Sequence, residues 1–247
     1  MSVKTRIKLG VSGAYGRMGS RIISLALQDK DFDVVVALER EDHPEFGKKI
    51  SGINVVSSPE SIKEVDGLIE FTAPQSSMEH LAVALKYKKA LVLGTTGFNN
   101  DEQKKILAAA KKIPIVFSPN MSLGVNTLFH LLREAVLRLP QDYKASIKEA
   151  HHIHKKDAPS GTAKFLAQII KDEGGNLNED ILSIREGEII GDHEIIFESP
   201  WDTIKLSHSA KTRDILVLGA LAAMKFVAGK SKGLYNMADV LKSIRKH

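Results

Sequence analysis

The chain of 247 residues contains no cysteine, few aromatic residues and no long apolar run. The lack of cysteine excludes a disulfide framework, and any metal site would need histidine and carboxylate ligands. No apolar stretch approaches the ~20 residues that cross a membrane. The N-terminal residues lead straight into a predicted strand, without a signal-peptide pattern. We therefore expect a cytoplasmic protein with no membrane partner.

The charge balance is basic, with a net charge of +5 and a pI near 9.2. A basic surface suits acidic small molecules and, by itself, also nucleic acid. Aromatic residues make up only 6% of the chain and no basic stretch interleaves with them, so stacking platforms for bases are lacking. We expect a small anionic ligand and no nucleic-acid partner.

The most informative stretch is Glu149–Thr162, which reads EAHHIHKKDAPSGT and holds three histidines and two lysines. The residues Tyr143–His154 have a strand-like pattern, whereas Ala163–Asp172 has apolar residues at helical spacing. Residues that open helices lie between the two segments. Cationic side chains would therefore lie beside the backbone N–H groups of Gly161 and Thr162 at a helix N-terminus. That combination favours a site for a carboxylate or phosphate.

Two other interpretations of this stretch stay open. A run of histidine and lysine is often only a solvated turn. Three histidines also suggest a metal, but Lys155 and Lys156 add positive charge where a cation would bind. In a strand, moreover, His151 and His152 would point to opposite faces. We therefore expect an anion site with a proton donor, and no metal.

A glycine-rich turn follows the first predicted strand, Ile7–Ser12. Its glycines are Gly13, Gly16 and Gly19, and an amphipathic helix follows, which is the context of a dinucleotide-binding turn. Glycine lets the backbone approach the pyrophosphate, whose charge faces the helix N-terminus. The spacing is GxxGxxG rather than GxGxxG, so a purely structural turn stays an alternative.

Charged residues near this turn also favour a dinucleotide. The second predicted strand, Phe32–Leu38, is followed by Glu39, about 20 residues after the last glycine, where an acid commonly bonds the adenosine ribose. Arg40 comes next, and Arg17 lies on the glycine turn; either can receive a 2′-phosphate. An ordinary surface acid is the alternative for Glu39. The adjacent acid and arginine predict that both NADH and NADPH are accepted.

Strands and helices continue to alternate through the N-terminal half, as a parallel α/β sheet requires. The next predicted strands are Gly67–Phe71, Ala90–Leu93 and Ile115–Ser118, and the predicted helices are Met78–Lys86, Asp101–Lys112 and Asn126–Leu139. After the predicted helix Asn126–Leu139, strands and helices no longer alternate regularly. A polar turn is predicted at Gly174–Asn178, strands at Ile181–Arg185, His193–Ser199 and Thr203–Ser209, and a last helix at Asp214–Ala228.

This pattern predicts an α/β protein of two domains. A Rossmann-like dinucleotide-binding domain is expected at 1–120 and 220–247. Residues 121–219 are expected to form an α+β domain for substrate binding and oligomerisation, with a mixed or antiparallel sheet. Because ligands lie beyond the carboxyl ends of parallel strands, the turns at Phe71–Pro74 and Gly94–Gly97 should line the cofactor.

With these residues placed, the sequence closely resembles the dihydrodipicolinate reductase family over essentially the whole chain. The most specific match is the motif ExHxxxKxDxPSGTA, formed by Glu149, His151, Lys155, Asp157, Pro159, Ser160, Gly161, Thr162 and Ala163. The motifs GxxGRMG, GTTGF, NMSxGVN and GLYxMxDVL also occur in the family's order. Any one of these motifs alone would be weak, whereas the ordered set is specific.

The resemblance implies reduction of (hydroxy)dihydrodipicolinate to tetrahydrodipicolinate with NADH or NADPH, in diaminopimelate and lysine biosynthesis. It implies that His151 is the proton donor and that Lys155 engages the substrate. The implied substrate contacts are His152, Lys155, Ser160, Gly161, Thr162 and Thr96. The implied cofactor contacts are Gly13, Gly16, Arg17, Met18, Gly19, Glu39, Arg40, Phe71, Thr72, Gly94, Thr95, Thr96, Ser118, Asn120 and Met121. A homo-oligomer, by resemblance a tetramer, is also implied.

The chain departs from the family's pattern at a few positions. Ser146 stands where an acid is usual, and Glu70 replaces the more usual Asp. The chain is also short between Leu182 and Asp192, a region that often contributes subunit contacts, and this bears on the tetramer geometry. Two other classes stay open: a catalytically silent NAD(P)-binding regulator, and a related reductase that acts on a different small carboxylate.

Overall fold

The structure, a computed structural model, describes residues 5–244, apart from the side chain of Glu179. The chain forms two compact units. The first unit contains the described residues up to Ser122 and from Leu216 onward, and the second contains Leu123–Ile215. Across residues 5–244, no helix has the length and apolar character needed to cross a membrane.

The first unit is built on a seven-stranded sheet in which every neighbouring pair is parallel. Its strands, numbered along the chain, are β1 (Ile7–Ser12), β2 (Phe32–Leu38), β3 (Val55–Val56), β4 (Gly67–Glu70), β5 (Ala90–Leu93), β6 (Pro114–Phe117) and β11 (Gly233–Tyr235). Their spatial order is β11-β6-β5-β4-β1-β2-β3. The accompanying helices are α1 (Arg17–Ala26), α2 (Pro74–Lys86), α3 (Asn100–Ala110), α6 (Asp214–Val227) and α7 (Met237–Ile244), with a 3-10 helix at Pro59–Glu64. The predicted Rossmann-like sheet is confirmed.

The central strands of this sheet are short apolar runs without polar alternation. Leu9 and Val11 of β1 have no exposed area, and neither do Leu68 and Ile69 of β4. Continuous burial of this kind is typical of a parallel sheet that is covered on both faces. The apolar runs in the sequence therefore favour a parallel sheet with both faces covered.

Some local details of the first unit differ from the sequence-based expectations. α2 begins at Pro74 rather than at Met78, because Pro74 occupies the first helical turn, where a missing N–H leaves no bond unmade. α3 begins at Asn100 because Asn99 and Glu102 form a capping box there. The short strand β3 and the 3-10 helix were not predicted.

The second unit is built on a four-stranded mixed sheet. Its strands are β7 (Lys144–His151), β8 (Asn176–Arg185), β9 (Asp192–Glu198) and β10 (Thr203–Ser209), in the order β10-β9-β7-β8. β7 pairs parallel with β8 and antiparallel with β9, and β9 pairs antiparallel with β10. The helices α4 (Leu123–Arg138) and α5 (Gly161–Asp172) share a buried core with one face of this sheet, through residues such as Leu132, Ile147, Leu166 and Ile195. The expected mixed sheet is confirmed.

Three predicted boundaries in the second unit are wrong. β7 ends at His151 rather than at His154, because the chain turns there and the Lys155 N–H donates to the His152 carbonyl oxygen at 3.1 Å. The predicted polar turn at Gly174–Asn178 is a strand from Asn176 onward. The polar composition of residues 176–178 does not favour a strand, but the pairing of β8 with β7 does. Strand formation depends strongly on contacts with the neighbouring strand. α4 also begins at Leu123, earlier than the predicted Asn126.

α6 lies unusually close to the segment that follows β6. A Cβ added at Gly219 would lie 1.7 Å from the carbonyl oxygen of Met121. Only glycine permits this approach, because any side chain would overlap the backbone. The chain then continues to β11, which pairs with β6 at the edge of the parallel sheet.

Replacement of Gly219 by alanine is expected to destabilise the first unit. Overpacking typically lowers the free energy of unfolding by about 1–3 kcal/mol. The better helix propensity of alanine offsets about 1 kcal/mol of this loss. An overlap with backbone lies at the costly end, so the thermal unfolding midpoint should fall by roughly 4–8 °C. Circular dichroism melting measures this, with Gly229→Ala as the control because a Cβ there would meet nothing within 4 Å. Equal midpoints for the two variants would contradict the close contact.

Candidate active site

The glycine turn between β1 and α1 needs glycine at two positions for different reasons. Gly13 has a φ of +70°, in the left-handed region that glycine favours. A Cβ added at Gly19 would lie 2.0 Å from the Gly13 carbonyl oxygen, so α1 packs directly against the turn. The first residues of α1, Arg17 and Met18, therefore lie at the carboxyl end of β1, where this fold binds a pyrophosphate.

A cleft of about 780 Å³ lies at the carboxyl ends of β1, β2 and β4. Its lining includes the predicted cofactor residues Gly13, Gly16, Glu39, Arg40, Phe71 and Thr72. The strand order reverses between β1 and β4, and open α/β sheets bind ligands at such a switch point. The glycine cradle and the cleft therefore fit a dinucleotide.

Glu39 is held in a fixed orientation in the lining of this cleft. One carboxylate oxygen accepts from the Tyr15 N–H at 3.2 Å, and the other accepts from the Arg40 N–H at 3.1 Å. The remaining lone pairs can accept from ribose hydroxyls. The exposed side chain of Arg40 pairs with Asp42 at 3.2 Å, so it would have to share or leave that partner to bind a phosphate.

A buried carboxylate connects the turns after β4 and β5 to α2. Glu70 has no exposed area, and it lies 2.6 Å from Nδ1 of His80. It also accepts from the hydroxyls of Thr72 and Ser77. The Thr95 hydroxyl oxygen accepts from the Thr72 N–H at 3.0 Å and from the Ser77 hydroxyl at 2.9 Å. These bonds fix the spacing of the two turns.

Six further predicted cofactor residues also lie at the carboxyl edge of the parallel sheet, and they are outside the lining of the cleft, as are Arg17, Met18 and Gly19. The six are Gly94, Thr95 and Thr96 after β5, and Ser118, Asn120 and Met121 after β6. A Cβ added at Gly94 would lie 2.3 Å from the ring of Phe71, so a larger residue there would require this ring to move. Thr96, expected to contact substrate, belongs to the first unit, whereas the other expected substrate contacts belong to the second.

In the second unit, the predicted proton donor is buried at the end of β7. His151 is 8% exposed, and its Nδ1 is hydrogen-bonded to the carboxylate of Glu149. Because Nδ1 faces a carboxylate, Nε2 is the ring nitrogen that can exchange a proton with a ligand. A Cβ added at Gly191 would lie 3.1 Å from this Nε2, so a glycine keeps the space beside it open.

Several charges act on His151. Burial lowers its pKa below the ordinary value, and the hydrogen bond to Glu149 acts in the opposite direction. The positive charges of Lys155 and Arg185 lower the pKa further. His151 is therefore poised to give up its proton more readily than a histidine in water.

Glu149 accepts hydrogen bonds from three other side chains or backbone groups of the site. Arg185 donates to both of its oxygens, at 2.8 and 3.0 Å. The Ser160 N–H donates to Oε1 at 3.3 Å, and His151 bonds to Oε2. Burial alone would raise the pKa of Glu149, but the hydrogen bonds from Arg185 and His151 hold it at about 2. The carboxylate therefore stays ionised.

Arg185 is a site residue that the sequence-based interpretation missed. It lies at the end of β8, opposite His151 in the parallel register, and its side chain is 18% exposed. The sequence did contain a signal. Ile181, Ser183 and Arg185 alternate onto one face of β8, and Ile181 pairs with the core residue Ile147. An arginine that points to a buried face requires a carboxylate partner.

His193 on β9 is a second buried histidine that was not predicted to act in the site. Its ring packs edge-to-face against His151, with 5.2 Å between the centroids. Its Nε2 lies 3.2 Å from the Ser160 hydroxyl. Burial, and then the charge of His151, lower the pKa of His193 to about 4, so this ring is neutral at pH 7. Within the described part of the chain, its Nδ1 has no hydrogen-bond partner.

The start of α5 is where an anion site was predicted. Ser160 caps the helix, since its hydroxyl oxygen accepts from the Ala163 N–H at 3.2 Å. Gly161 and Thr162 begin the first turn, at the end of the helix that carries positive partial charge. A Cβ added at Gly161 would meet nothing within 4 Å, so space for a ligand lies beside this turn.

Lys155 lies in the loop between β7 and α5 and is paired within the protein. Its Nζ lies 2.7 and 2.9 Å from the two carboxylate oxygens of Asp157, and this contact lowers the pKa of Asp157. The ring of His152 lies 3.3 Å from the guanidinium of Arg213. An anionic ligand would therefore have to share Lys155 with Asp157.

The three histidines of this stretch do not all lie on one strand, contrary to the expectation. His152 and His154 follow the end of β7, so strand alternation does not separate them from His151, and their ring centroids are 6.2 Å apart. Over residues 5–244, no group of three or more His, Cys, Asp or Glu side chains is arranged to hold a metal ion. The absence of a metal stays a prediction.

Two family profiles together match nearly the whole chain. Residues 7–121 match the profile described as the N-terminus of dihydrodipicolinate reductase. Residues 124–241 match the profile described as its C-terminus.

Named relatives give the same result. The chain is 40% identical to the 4-hydroxy-tetrahydrodipicolinate reductase of Pelagibacter ubique, over 96% of this chain and 98% of that protein. It is 37% identical to the enzyme of the same name from Syntrophus aciditrophicus, over 95% and 98% of the two chains. The structure of dipicolinate-bound dihydrodipicolinate reductase from Paenisporosarcina sp. TG-14 shares the fold, with a TM-score of 0.82 at 23% identity over 94% of this chain and 98% of that one. This chain belongs to the dihydrodipicolinate reductase family.

Proposed function

We propose that this protein is an NAD(P)H-dependent 4-hydroxy-tetrahydrodipicolinate reductase. It would reduce (hydroxy)dihydrodipicolinate to tetrahydrodipicolinate in diaminopimelate and lysine biosynthesis. The observation that carries the proposal is the buried His151–Glu149 pair, which the hydrogen bond from the Ser160 N–H ties to the start of α5. We assign cofactor binding to the first unit and substrate binding to the second.

The substrate is a cyclic imine with two carboxylates, so it needs two anion receptors. The first turn of α5, which begins at Gly161, offers the positive end of the helix dipole to one carboxylate, and Thr162 is an expected contact there. Lys155 offers a point charge to the anionic ring. His152 and Ser160 are the further substrate contacts expected in this unit, and Thr96 is the one expected from the first.

A bound nicotinamide dinucleotide supplies the hydride. The substrate ring gains negative charge as it is reduced, and protonated His151 neutralises that charge by transferring the proton on Nε2. Glu149 stabilises the imidazolium before the transfer and fixes the orientation of the ring. His151 is left neutral and regains its proton from water. One hydride and one proton thus account for the two-electron reduction of dihydrodipicolinate, and the hydroxylated ring must in addition lose its hydroxyl group as water.

A coupled assay tests this function. The purified protein should oxidise NADPH or NADH when a dihydrodipicolinate-generating synthase and its substrates are present, and not when the synthase is left out. Oxidation with a different cyclic imine carboxylate alone would identify a related reductase. Cofactor binding without any oxidation would identify a silent regulator.

The oligomeric state and the location in the cell are proposals of the same kind. We infer a homo-oligomer, with a tetramer expected from the family resemblance. We also infer a cytoplasmic location, because the chain has no cysteine and is expected to use reduced nicotinamide.

Cofactor choice should depend on Arg40. We propose that Glu39 accepts from the ribose hydroxyls of NADH and that Arg40 binds the 2′-phosphate of NADPH. Arg40→Ala should then raise KM for NADPH by about tenfold, since a hydrogen bond to a charged group contributes about 1.5 kcal/mol. KM for NADH should change much less. Arg138→Ala, which removes an exposed arginine at the end of α4, is the control; equal effects on both cofactors would instead point to Arg17.

Replacement of Lys155 and replacement of His151 should change different kinetic parameters. Loss of Lys155 leaves substrate charge unpaired, which typically costs ~2–5 kcal/mol. Lys155→Ala should therefore lower kcat/KM by about 10²-fold or more. His151→Ala should mainly lower kcat, by roughly 10²-fold, because proton transfer is its task.

Steady-state kinetics separate these two effects. The affinity for NADH should stay near wild type in both variants, since the cofactor is assigned to the first unit. Lys156→Ala is a matched control, because Lys156 is the exposed neighbour of Lys155 and should leave kcat/KM nearly unchanged. A normal kcat for His151→Ala across the pH range would mean that the proton comes from another donor.

The pH dependence should report the lowered pKa of His151. A general acid must carry its proton, so kcat/KM should fall as the pH rises through this pKa, below the ordinary 6.5 of histidine. In the kcat profile the fall should lie at higher pH, because bound dianionic substrate stabilises the imidazolium. His151→Ala should lose this inflection. An inflection in the variant that matches wild type would assign it to another group.

A further inference from the structure

Arg185 uses all of its hydrogen-bonding capacity inside the site. Its guanidinium has five N–H donors. Two donate to Glu149, at 2.8 and 3.0 Å, and one donates to the carbonyl oxygen of Ile184 at 2.6 Å. The other two donate to the carbonyl oxygens of Lys155, at 3.3 Å, and of Asp157. With every donor in use, this arginine is not available to bind substrate.

The carboxylate of Glu149, which pairs with Arg185, also uses all of its acceptor sites. Each oxygen of Glu149 accepts two hydrogen bonds, one of them from Arg185. The second partner of Oε1 is the Ser160 N–H, at the start of α5, and the second partner of Oε2 is His151. A carboxylate has about four acceptor sites, so none is left over. One buried ion pair therefore touches the proton donor, the lysine loop and the anion-binding helix.

We propose that Arg185 is a positioning residue for the reaction: through Glu149 it holds His151, and through two loop carbonyls it fixes the segment that carries Lys155. This inference rests on the proposed reductase function, but its geometric part does not. The ion pair keeps the proton donor and the substrate-binding lysine in one rigid arrangement. Arg185 contributes without contacting the substrate.

The alternative is that Arg185 only stabilises the fold. The two roles differ in their effect on His151. The charged and titratable groups that face this ring are Glu149 from β7, Arg185 from β8, neutral His193 from β9 and Lys155 from the loop. Removal of the Arg185 charge leaves Glu149 free to stabilise the imidazolium, so the pKa of His151 should rise. A purely structural residue would not produce this shift in a folded variant.

The test compares Arg185→Met, Arg185→Lys and the control Arg133→Met. Arg133 also pairs with a glutamate in the second unit, at 3.5 Å, but on the surface of α4. Nitrogen-15 NMR of the histidine rings measures the pKa of His151, and steady-state kinetics measure kcat and KM for the substrate. Circular dichroism checks the fold of each variant.

Arg185→Met should raise the pKa of His151, lower kcat by about 10- to 100-fold and raise KM for the substrate, because small misplacements of reacting groups cost this much. Arg185→Lys keeps the charge but loses the two-pronged contact. It should therefore leave the pKa near wild type and still lower kcat/KM by about tenfold or more. Arg133→Met should match wild type in every measurement.

Two results would overturn the proposal, and the second is sufficient when Arg185→Met does not fold. One is a folded Arg185→Met variant with wild-type kcat, KM and His151 pKa. Another is an Arg185→Lys variant with full activity, which would make the charge sufficient and the positioning unnecessary. If Arg185→Met does not fold, an Arg185→Lys variant that folds and keeps full activity would show a structural role only. A wild-type protein without reductase activity would refute the proposed function, while the NMR comparison would still test the link between Arg185 and His151.

Discussion

The second unit depends on an ionised carboxylate that is almost completely removed from water. Transfer of a lone carboxylate into such surroundings is very unfavourable, so Glu149 is tolerated only because four hydrogen bonds surround it. Those bonds come from a strand, a loop-to-helix junction and a histidine. The requirement to satisfy one charge therefore brings together groups that the chain carries far apart. Catalytic geometry follows from this electrostatic requirement.

The first unit also contains a buried carboxylate that needs hydrogen-bond partners. Glu70, the last residue of β4, is also fully buried and also contacts a histidine Nδ1, that of His80. Its other partners are hydroxyls rather than an arginine. Both carboxylates are near the ends of strands, where loops leave the sheet and ligand sites lie. Each unit thus uses a buried acid to fix loops that would otherwise be mobile.

The sequence was most informative where the signals are local. Apolar runs, the glycine turn and the motif around His151 and Lys155 each lie within a few residues, and they predicted the parallel sheet and the core of the candidate site. Arg185 was missed because it is 36 residues from Glu149 and reaches it only through the register of β8 on β7. His193 was missed for the same reason. Its role appears only when β9 lies beside β7.

Because the first unit is made of two separate segments of the chain, its parts are not synthesised together. The ribosome delivers β1 to β6 first, then the whole second unit, and only at the end β11, which pairs with β6. Until those last residues emerge, β6 is an unpaired sheet edge of the kind that recruits other chains. The residues of the second unit, Leu123–Ile215, are all synthesised before β11. A nascent chain that stalls before β11 would therefore contain all residues of the second unit, joined to a sheet whose β6 edge is unpaired. A chaperone would have to protect that edge.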